Sequence, residues 1–241
     1  MAFSSIRKPD LKFGITQQFD CNYLPDRKEQ LLVCVEPPAI LKHVFSDLTE
    51  SGFRRSGEQI YRPHCLDCNQ CQSIRVLAQA FTCSKSQKRV LSKNKDLQIK
   101  ISNENKPEYY LLYEKYVNNV HSDGSMFPAS EAQYNGFINC EWQYPIFIEA
   151  LLDGELIGVA VTDKLKHGYS ALYTFIEPSM SKRSLGILFI LQQIQLTADQ
   201  NMPYLYLGYQ VDACKKMNYK QNFYPHERFF EDKWNLCVKD T

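Results

Sequence analysis

The sequence predicts an α+β fold, in which helices and strands follow one another in mixed order. Two observations predict it. Residues 36–52 carry apolar side chains at the three- and four-residue spacing of a half-buried helix. Residues 145–152 and 156–163 are instead apolar runs joined by Asp153-Gly154, a dipeptide that strongly favours a hairpin turn. The chain of 241 residues is long enough for one large domain or two small ones.

The first half of the chain predicts a smaller α/β region that contains cysteines. Gly52 is placed to end the helix over residues 36–52. Residues 59–81 mix β-forming residues with turn residues and three closely spaced cysteines, which indicates short strands around a knuckle-like loop. Residues 98–102 alternate like a further strand.

The second half opens with two predicted helices. Pro107 can start a helix at its first position, and an apolar stripe follows it as far as Gly124. Ser130 and Gln133 have the spacing of a capping box, which marks the start of the second helix.

After the hairpin, the pattern predicts a strand, a basic loop, a buried helix and a last strand. In that order they are residues 169–176, 179–184, 185–196 and 203–209. This order of elements resembles the core of the GNAT acyltransferase superfamily, and the resemblance implies a GNAT-like core in the second half. The pattern changes near residue 105, so the predicted regions are 1–105, with the cysteines, and 106–241.

Composition and charge limit the classes of protein to which this chain can belong. The formal net charge is +1, which disfavours a protein that coats nucleic acid indiscriminately but allows a local basic face. No apolar run approaches the roughly 20 residues that span a bilayer, and the amino terminus lacks a secretory core. We therefore expect a cytoplasmic protein without a membrane partner, whose nine cysteines are reduced.

The closely spaced cysteines predict a metal site. Cys65, Cys68 and Cys71 can converge on one zinc ion or iron-sulfur cluster, with Cys21 or His64 as the fourth ligand. The alternative is a tight loop of reduced thiols, which small soft side chains tolerate well.

Two further groups of charged residues predict binding sites. Arg54 and Arg55 stand between two glycines, and guanidinium groups bind carboxylates through paired hydrogen bonds, which favours a pocket for an acidic side chain. The predicted members of this pocket are Arg54, Arg55, Ser56, Tyr61 and Arg62. A denser basic run could follow a phosphate backbone and consists of Lys85, Lys88, Arg89 and Lys93. In both groups the alternative is a solvated surface.

Several motifs together resemble one family, the arginyl-tRNA protein transferases with their bacterial branch, the aspartate/glutamate leucyltransferases. They are Cys21-Asn22-Tyr23-Leu24-Pro25, residues 52–57 with Tyr61-Arg62-Pro63, residues 64–71, Ser86-Gln87-Lys88-Arg89 with Asn94, residues 204–209, Lys216-Met217 and Tyr219-Lys220. The eukaryotic type usually has a second cysteine soon after the first. Here Tyr23-Leu24-Pro25 follows Cys21, which is similar to the bacterial branch and leaves one candidate metal ligand of the family missing.

The resemblance implies the reaction. The α-amine of an N-terminal Asp or Glu attacks the ester of leucyl-tRNA, forms a peptide bond and releases the tRNA, which marks the acceptor protein for degradation through the N-degron pathway. The ester is already activated, so no cofactor is required for the transfer. The sequence does not identify a general base.

The resemblance also implies further site residues. Tyr209, Lys216, Tyr219 and Lys220 follow the last core strand, where a GNAT fold opens its substrate cleft. Lys182 and Arg183 lie in the loop where GNAT enzymes hold the pyrophosphate of coenzyme A, and here they would hold the tRNA 3′ end.

Three alternatives remain open. Arginine could be the transferred residue. An ordinary acetyl-CoA-dependent N-acetyltransferase would explain the second half alone. A non-catalytic module that binds tRNA or metal would explain the cysteines and the basic run.

Overall fold

The computed structural model describes residues 10–122, 124 and 126–239. The strands are β1 (Phe13–Ile15), β2 (Phe19–Asp20), β3 (Lys28–Glu29), β4 (Leu31–Cys34), β5 (Arg54–Ser56), β6 (Gln59–Pro63), β7 (Gln72–Leu77), β8 (Gln98–Ser102), β9 (Ile146–Leu152), β10 (Glu155–Leu165), β11 (Gly168–Ile176), β12 (Tyr204–Gln210), β13 (His226–Phe230) and β14 (Lys233–Cys237). The helices are α1 (Pro38–Glu50), α2 (Lys85–Lys93), α3 (Pro107–Val120), α4 (Glu131–Ile138) and α5 (Leu185–Asp199), with 3₁₀ helices at Pro178–Arg183 and Asn218–Asn222. The fold is α+β, as predicted.

An eight-stranded sheet forms the centre of the molecule, in the order β14-β13-β7-β12-β11-β10-β9-β8. Successive residues of a strand point to opposite faces. In β10, Val159 and Val161 pack with α3 and α4, whereas Ala160 packs with the start of α5. The sheet is therefore covered by helices on both faces. It takes β7 and β8 from residues before 105, and the boundary at 105 stays a prediction.

A four-stranded sheet, β1-β4-β6-β5, lies with α1 against one end of the central sheet. Apolar residues of α1 share a buried cluster with Trp142, Leu165 and Tyr206 of the central region. The indole of Trp234 on β14 also donates a hydrogen bond to the carbonyl of Glu50 over 2.8 Å. The two sheets are thus held together by apolar burial and by polar contacts.

The long periodic elements were predicted correctly. The helix expected over residues 36–52 is α1, the one opened by Pro107 is α3, and the one expected over 185–196 is α5. Asp153 and Gly154 have φ of 51° and 89° and form the β9–β10 turn. The strands expected near 98–102, 169–176 and 203–209 are β8, β11 and β12.

Two helix starts differ from the sequence-based expectation. At Ser130 the side chain accepts from the amide of Gln133, which is one of the two hydrogen bonds of a capping box. The complete capping box is formed by Ser84 and Gln87, which start α2. The basic run over residues 85–93 is therefore helical, a feature that its charge pattern had not indicated.

None of the helices in the described part of the chain is both long and apolar enough to cross a membrane. Residues 1–9, on which the expectation about a secretory signal partly rests, lie outside the described residues, as do the outer ends of the two predicted regions.

A buried ion pair joins the small sheet to the central one. Arg55 of β5 donates from Nε and Nη2 to the two carboxylate oxygens of Asp163 on β10, each over 2.6 Å. Its Nη1 donates to the carbonyl of Gly57 over 3.0 Å, and both charged side chains are fully buried. Removing either partner would leave the other as an uncompensated buried charge.

We expect Asp163→Leu or Arg55→Met alone to lower the free energy of unfolding by about 3–5 kcal/mol, because one buried charge loses its partner. The double variant should lose less than either single variant, since no buried charge remains. Urea denaturation measures the free energy of unfolding of the two single variants and of the double variant. The pair of Lys28 and Asp20 has the same 2.6 Å separation but is 61% and 92% exposed, so Lys28→Met serves as the control and should leave stability unchanged. A double variant as unstable as the sum of both singles would contradict this account.

Candidate functional site

A cavity of about 350 Å³ lies where the small sheet, the loop over residues 64–71 and the central sheet meet. Arg62 and Pro63 enter it from the end of β6, and Tyr209 enters from β12. The turn between β13 and β14 closes another side with Phe229 to Asp232. Residues far apart in the sequence thus enclose one space, which makes this cavity the first candidate for a binding site.

Arg62 provides a cation on the cavity wall. Its side chain is 30% exposed, and its Nη1 lies 3.8 Å from the carboxylate of Asp232, which is itself 88% exposed. The same nitrogen donates to the carbonyl of Ser51 over 3.3 Å, and the guanidinium lies 5.1 Å from the ring centre of Phe53. A long contact with an exposed carboxylate neutralises the guanidinium only weakly. Arg62 can therefore bind an anion that enters the cavity.

Glu29 provides an anion on the same wall, and no local sequence pattern had indicated it. The residue is 8% exposed and lines the cavity from β3. Its carboxylate accepts from the amide and the side chain of Asn22 over 3.4 Å and 3.3 Å. A cavity with a guanidinium and a carboxylate suits a ligand that carries both charges.

The four cysteines predicted as metal ligands, Cys21, Cys65, Cys68 and Cys71, line this cavity together. Burial raises the pKa of the Cys71 thiol to about 12 and also raises the pKa of Cys65, so both thiols are protonated at neutral pH. Within the described residues, no group of three or more Cys, His, Asp or Glu side chains is arranged to hold a metal ion. The zinc ion or iron-sulfur cluster stays a prediction from the sequence.

A second feature lies beside the cavity, where two strands of the central sheet part. Strands β11 and β12 are parallel and pair over three positions, the last of which joins Ser170 to Tyr206. Both strands continue beyond that pair, to Ile176 and Gln210. We call the gap between their unpaired ends the β11–β12 split.

Arg54 fills this split. Its Nη2 donates to the carbonyls of Ala171 and Leu172, each over 3.2 Å. Gly208 lies on the other side with φ of 77°, and a Cβ atom at that position would be 1.8 Å from Nη1 of Arg54. Position 208 must be glycine both for its backbone conformation and for the space that Arg54 occupies.

Tyr209 connects the split with the cavity. It lines the cavity, and its ring centre lies 5.8 Å from the guanidinium carbon of Arg54. Its hydroxyl can donate to the carbonyl of Gly52 at 3.3 Å or of Tyr61 at 3.2 Å. Burial raises the pKa of Tyr209 and of Tyr61, so both phenols keep their protons.

Lys220 lies behind Tyr209. Its ammonium or amine nitrogen donates to the carbonyl of Tyr209 over 2.6 Å and lies 3.8 Å from the sulfur of Met217. The residue is 6% exposed. Burial, with the positive charge of Arg54, lowers the pKa of Lys220 to about 7.

The predicted site residues separate into several groups in space. Arg54 fills the split, and after burial its charge is the next influence on the pKa of Tyr61, Tyr219 and Lys220 and a smaller one on that of Tyr209. Arg62 lines the cavity, and Lys216 is exposed. Ser56 pairs with Gln59 at the end of the β5–β6 hairpin. Arg55 has its donors engaged by Asp163 and Gly57, so we leave it out of the candidate site.

The two predicted basic segments meet on another surface. Lys93 donates to the carbonyl of Lys182, and the side chain of Asn94 donates to the carbonyl of Arg183 over 2.9 Å. Lys85, Lys88 and Arg89 are exposed, and their spacing places them on one face of α2. Arg183 is instead paired with Asp96 through two hydrogen bonds of 2.9 Å. We call the exposed residues Lys85, Lys88, Arg89, Lys93 and Lys182 the basic surface.

Comparison with known proteins identifies two family models in this chain. Residues 19–89 match the N-terminal model of arginine-tRNA-protein transferase, and residues 108–230 match its C-terminal model. The two matches include most of the cavity, the split and most of the basic surface.

Curated relatives extend over nearly the whole chain. A protein of Pseudoalteromonas atlantica is 52% identical over 95% of this chain and 99% of its own length, and one of Aeromonas hydrophila is 47% identical over 93% and 94%. One of Shewanella oneidensis is 44% identical over 96% and 97%. All three carry the name aspartate/glutamate leucyltransferase.

Solved structures are more distant. The structure of L-PGS from Bacillus licheniformis matches with a TM-score of 0.44 and 12% identity, over 71% of this chain and 49% of that one.

Proposed function

The chain belongs to the arginine-tRNA-protein transferase family, and we propose that it transfers leucine from leucyl-tRNA to the N-terminal Asp or Glu of acceptor proteins. The observation that carries the proposal is the identity of 44–52% with leucyltransferases over nearly the full chain. The geometry supports it with a cavity that carries a guanidinium on its wall and with a separate basic surface.

The reaction requires little from the enzyme beyond the alignment of its two substrates. The ester bond of an aminoacyl-tRNA is already activated, so the enzyme must hold the two substrates together and make the acceptor amine neutral, whose free pKa is about 8. We propose that the transfer requires no cofactor, because neither oxidation nor covalent catalysis is part of it.

We propose that the second half has a GNAT-like core. Its support is the order of elements from β9 to β12, with one parallel strand pair that parts after three positions. In this proposal the β11–β12 split is where the ester lies, and the cavity beside it receives the acceptor.

We propose that Arg62 recognises the acidic side chain of the acceptor. Its guanidinium lines the cavity and has a weakly competing carboxylate in Asp232. Glu29 on the same wall can attract the α-ammonium of the acceptor before it loses its proton. An N-terminal Asp or Glu carries both of the charges that this cavity complements.

We propose that the basic surface binds the tRNA backbone. Its support is that α2 and the 3₁₀ helix before α5, about 90 residues apart in sequence, are joined by hydrogen bonds and present lysines and an arginine side by side. Phosphate contacts of this kind position RNA without reading its sequence.

Aminoacyl-tRNA is a cytoplasmic substrate, so we propose a cytoplasmic enzyme. Its product is a protein with a new N-terminal leucine, which we propose marks that protein for degradation. Neither step involves a membrane.

Transfer of radiolabelled leucine or arginine from charged tRNA to peptides that begin with Asp, Glu or Ala tests the proposed function directly. We expect leucine on the Asp and Glu peptides alone. Arginine transfer would retain the reaction and change the donor. Absence of transfer from both tRNAs would refute the proposed function, and coenzyme A binding by the same protein would then favour the acetyltransferase alternative.

Arg62→Gln should lower kcat/KM for an Asp peptide by about 10- to 100-fold, because a charge-assisted hydrogen bond of about 1.5–3 kcal/mol is removed. The effect on a peptide that begins with Asn should be much smaller. Arg27 is exposed and does not line the cavity, so Arg27→Gln is the control. If kcat/KM for the Asp peptide relative to the Asn peptide is unchanged in Arg62→Gln, another residue recognises the carboxylate.

Replacing Lys85, Lys88 and Arg89 together by glutamine should raise KM for leucyl-tRNA and leave kcat at saturation unchanged, since these residues lie away from the cavity. The plot of log affinity against log salt should become shallower by roughly 0.7 for each phosphate that the variant no longer neutralises. Lys42, Lys166 and Lys233 are exposed on other elements, and their triple glutamine variant is the matched control. Equal effects of both triple variants would contradict a specific basic surface.

A further inference from the structure

Asp232 lies at the tip of the β13–β14 hairpin, and its carboxylate faces Arg62. Its Oδ1 is 3.8 Å from Nη1 of Arg62, and its side chain is 88% exposed. Both residues line the cavity. A carboxylate of the protein itself therefore approaches the place beside this guanidinium that the carboxylate of an acceptor would take.

The hairpin that carries Asp232 is anchored at its base and exposed at its tip. The indole of Trp234 donates to the carbonyl of Glu50 over 2.8 Å. The ring centre of Trp234 also lies 4.1 Å from the guanidinium carbon of Arg75, which pairs with Glu227 of β13 over 2.6 Å. These contacts hold the tip beside the cavity. The exposed side chain of Asp232 can still turn into solvent without breaking a buried contact.

The contact between Asp232 and Arg62 leaves room for a better one. At 3.8 Å the two side chains are beyond hydrogen-bond distance. A guanidinium has its N–H donors in a planar fork, which a carboxylate can meet with two parallel hydrogen bonds. An incoming carboxylate can therefore make the short paired contact that Asp232 does not make.

The remaining contacts of Arg62 do not depend on Asp232. Its Nη1 donates to the carbonyl of Ser51 over 3.3 Å, and its guanidinium lies 5.1 Å from the ring centre of Phe53. These two contacts hold the guanidinium in the cavity wall when Asp232 turns away.

We propose that Asp232 is an internal competitor of the acceptor. It faces Arg62 when the cavity is empty, and the side-chain carboxylate of an N-terminal Asp or Glu displaces it. This role rests on the proposed function, in which Arg62 recognises the acceptor. Asp232 thereby sets the affinity of the cavity for acidic ligands and leaves that for neutral ligands unchanged.

The competition has different consequences before and after the transfer. The acceptor contacts Arg62 with its carboxylate and Glu29 with its α-ammonium, whereas in the product the same nitrogen belongs to an uncharged amide. The product keeps only the contact with Arg62, for which Asp232 competes. The return of Asp232 to Arg62 therefore favours release of the product, while the second contact retains the acceptor.

Glu231, the neighbouring residue of the turn, separates this role from a general effect of charge. It also lines the cavity and is 75% exposed, but its carboxylate lies 3.8 Å from Lys233. Removing the charge of Glu231 changes the total charge of the turn by the same amount. It leaves the contact between Asp232 and Arg62 in place.

The test is the affinity of C-terminally labelled peptides that begin with Asp, with Asn or with Leu-Asp, measured by fluorescence anisotropy at low salt. Asp232→Asn should bind the Asp and Leu-Asp peptides about 2- to 5-fold more tightly than the native enzyme, because an exposed ion pair no longer competes. The Asn peptide should bind with native affinity. Asparagine tolerates the φ of 54° at this position, so the variant should fold.

Three further variants complete the comparison. Glu231→Gln should change the affinity for the Asp peptide less than Asp232→Asn does. Asp47→Asn removes a carboxylate that lies 3.7 Å from Lys166 and does not line the cavity, so all three affinities should stay native. In an Arg62→Gln background, Asp232→Asn should no longer raise the affinity, because the guanidinium for which it competes is absent.

The proposal is overturned if Asp232→Asn binds the Asp peptide with native affinity, if Glu231→Gln gives an equal gain, or if the gain persists in Arg62→Gln. It is also overturned if none of the variants binds the Asp peptide. A native enzyme that binds the Asp peptide but transfers no leucine would instead refute the proposed function, and the affinities would still decide whether Asp232 competes at Arg62.

Discussion

The buried pair of Arg55 and Asp163 is the contact on which the arrangement of the site depends. Neighbouring residues of a strand point to opposite faces, so fixing Arg55 against Asp163 turns Arg54 to the other side of β5. That side faces the β11–β12 split, where Arg54 donates to the carbonyls of Ala171 and Leu172. One ion pair thus positions the small sheet and delivers a second arginine to the centre of the candidate site.

The three arginines of this region illustrate what sequence can and cannot predict. Their residue type, and for Arg54 and Arg55 the neighbouring glycines, predicted a pocket for an acidic side chain. Their roles depend on contacts more than 100 residues away, which local patterns do not contain: Arg55 pairs with Asp163, and Arg54 enters the split. The sequence analysis had placed Arg54 and Arg55 in one pocket. Because side chains alternate along a strand, these two residues of β5 point to opposite faces instead. Arg62, on β6, reaches the cavity by a different route.

The fold was predictable where the signals were long. Their periods identified the helices α1, α3 and α5, and the Asp153-Gly154 turn identified β9 and β10 of the central sheet. Strands of two to four residues, such as β2 and β3, are too short to show a period, so Glu29 on the cavity wall was missed. The β13–β14 hairpin turns at Glu231 and Asp232, both with positive φ, without the glycine that usually reveals such a turn. This hairpin supplies a whole side of the cavity.

The proposed site recognises two opposite charges with two side chains of one cavity. Arg62 and Glu29 both line it, so an N-terminal Asp or Glu can place its carboxylate at the guanidinium and its α-ammonium at the carboxylate. An acceptor that begins with Ala could occupy the cavity but would bring Arg62 no anionic partner. Selectivity for Asp and Glu would therefore come from the second contact, because the α-ammonium is common to every acceptor.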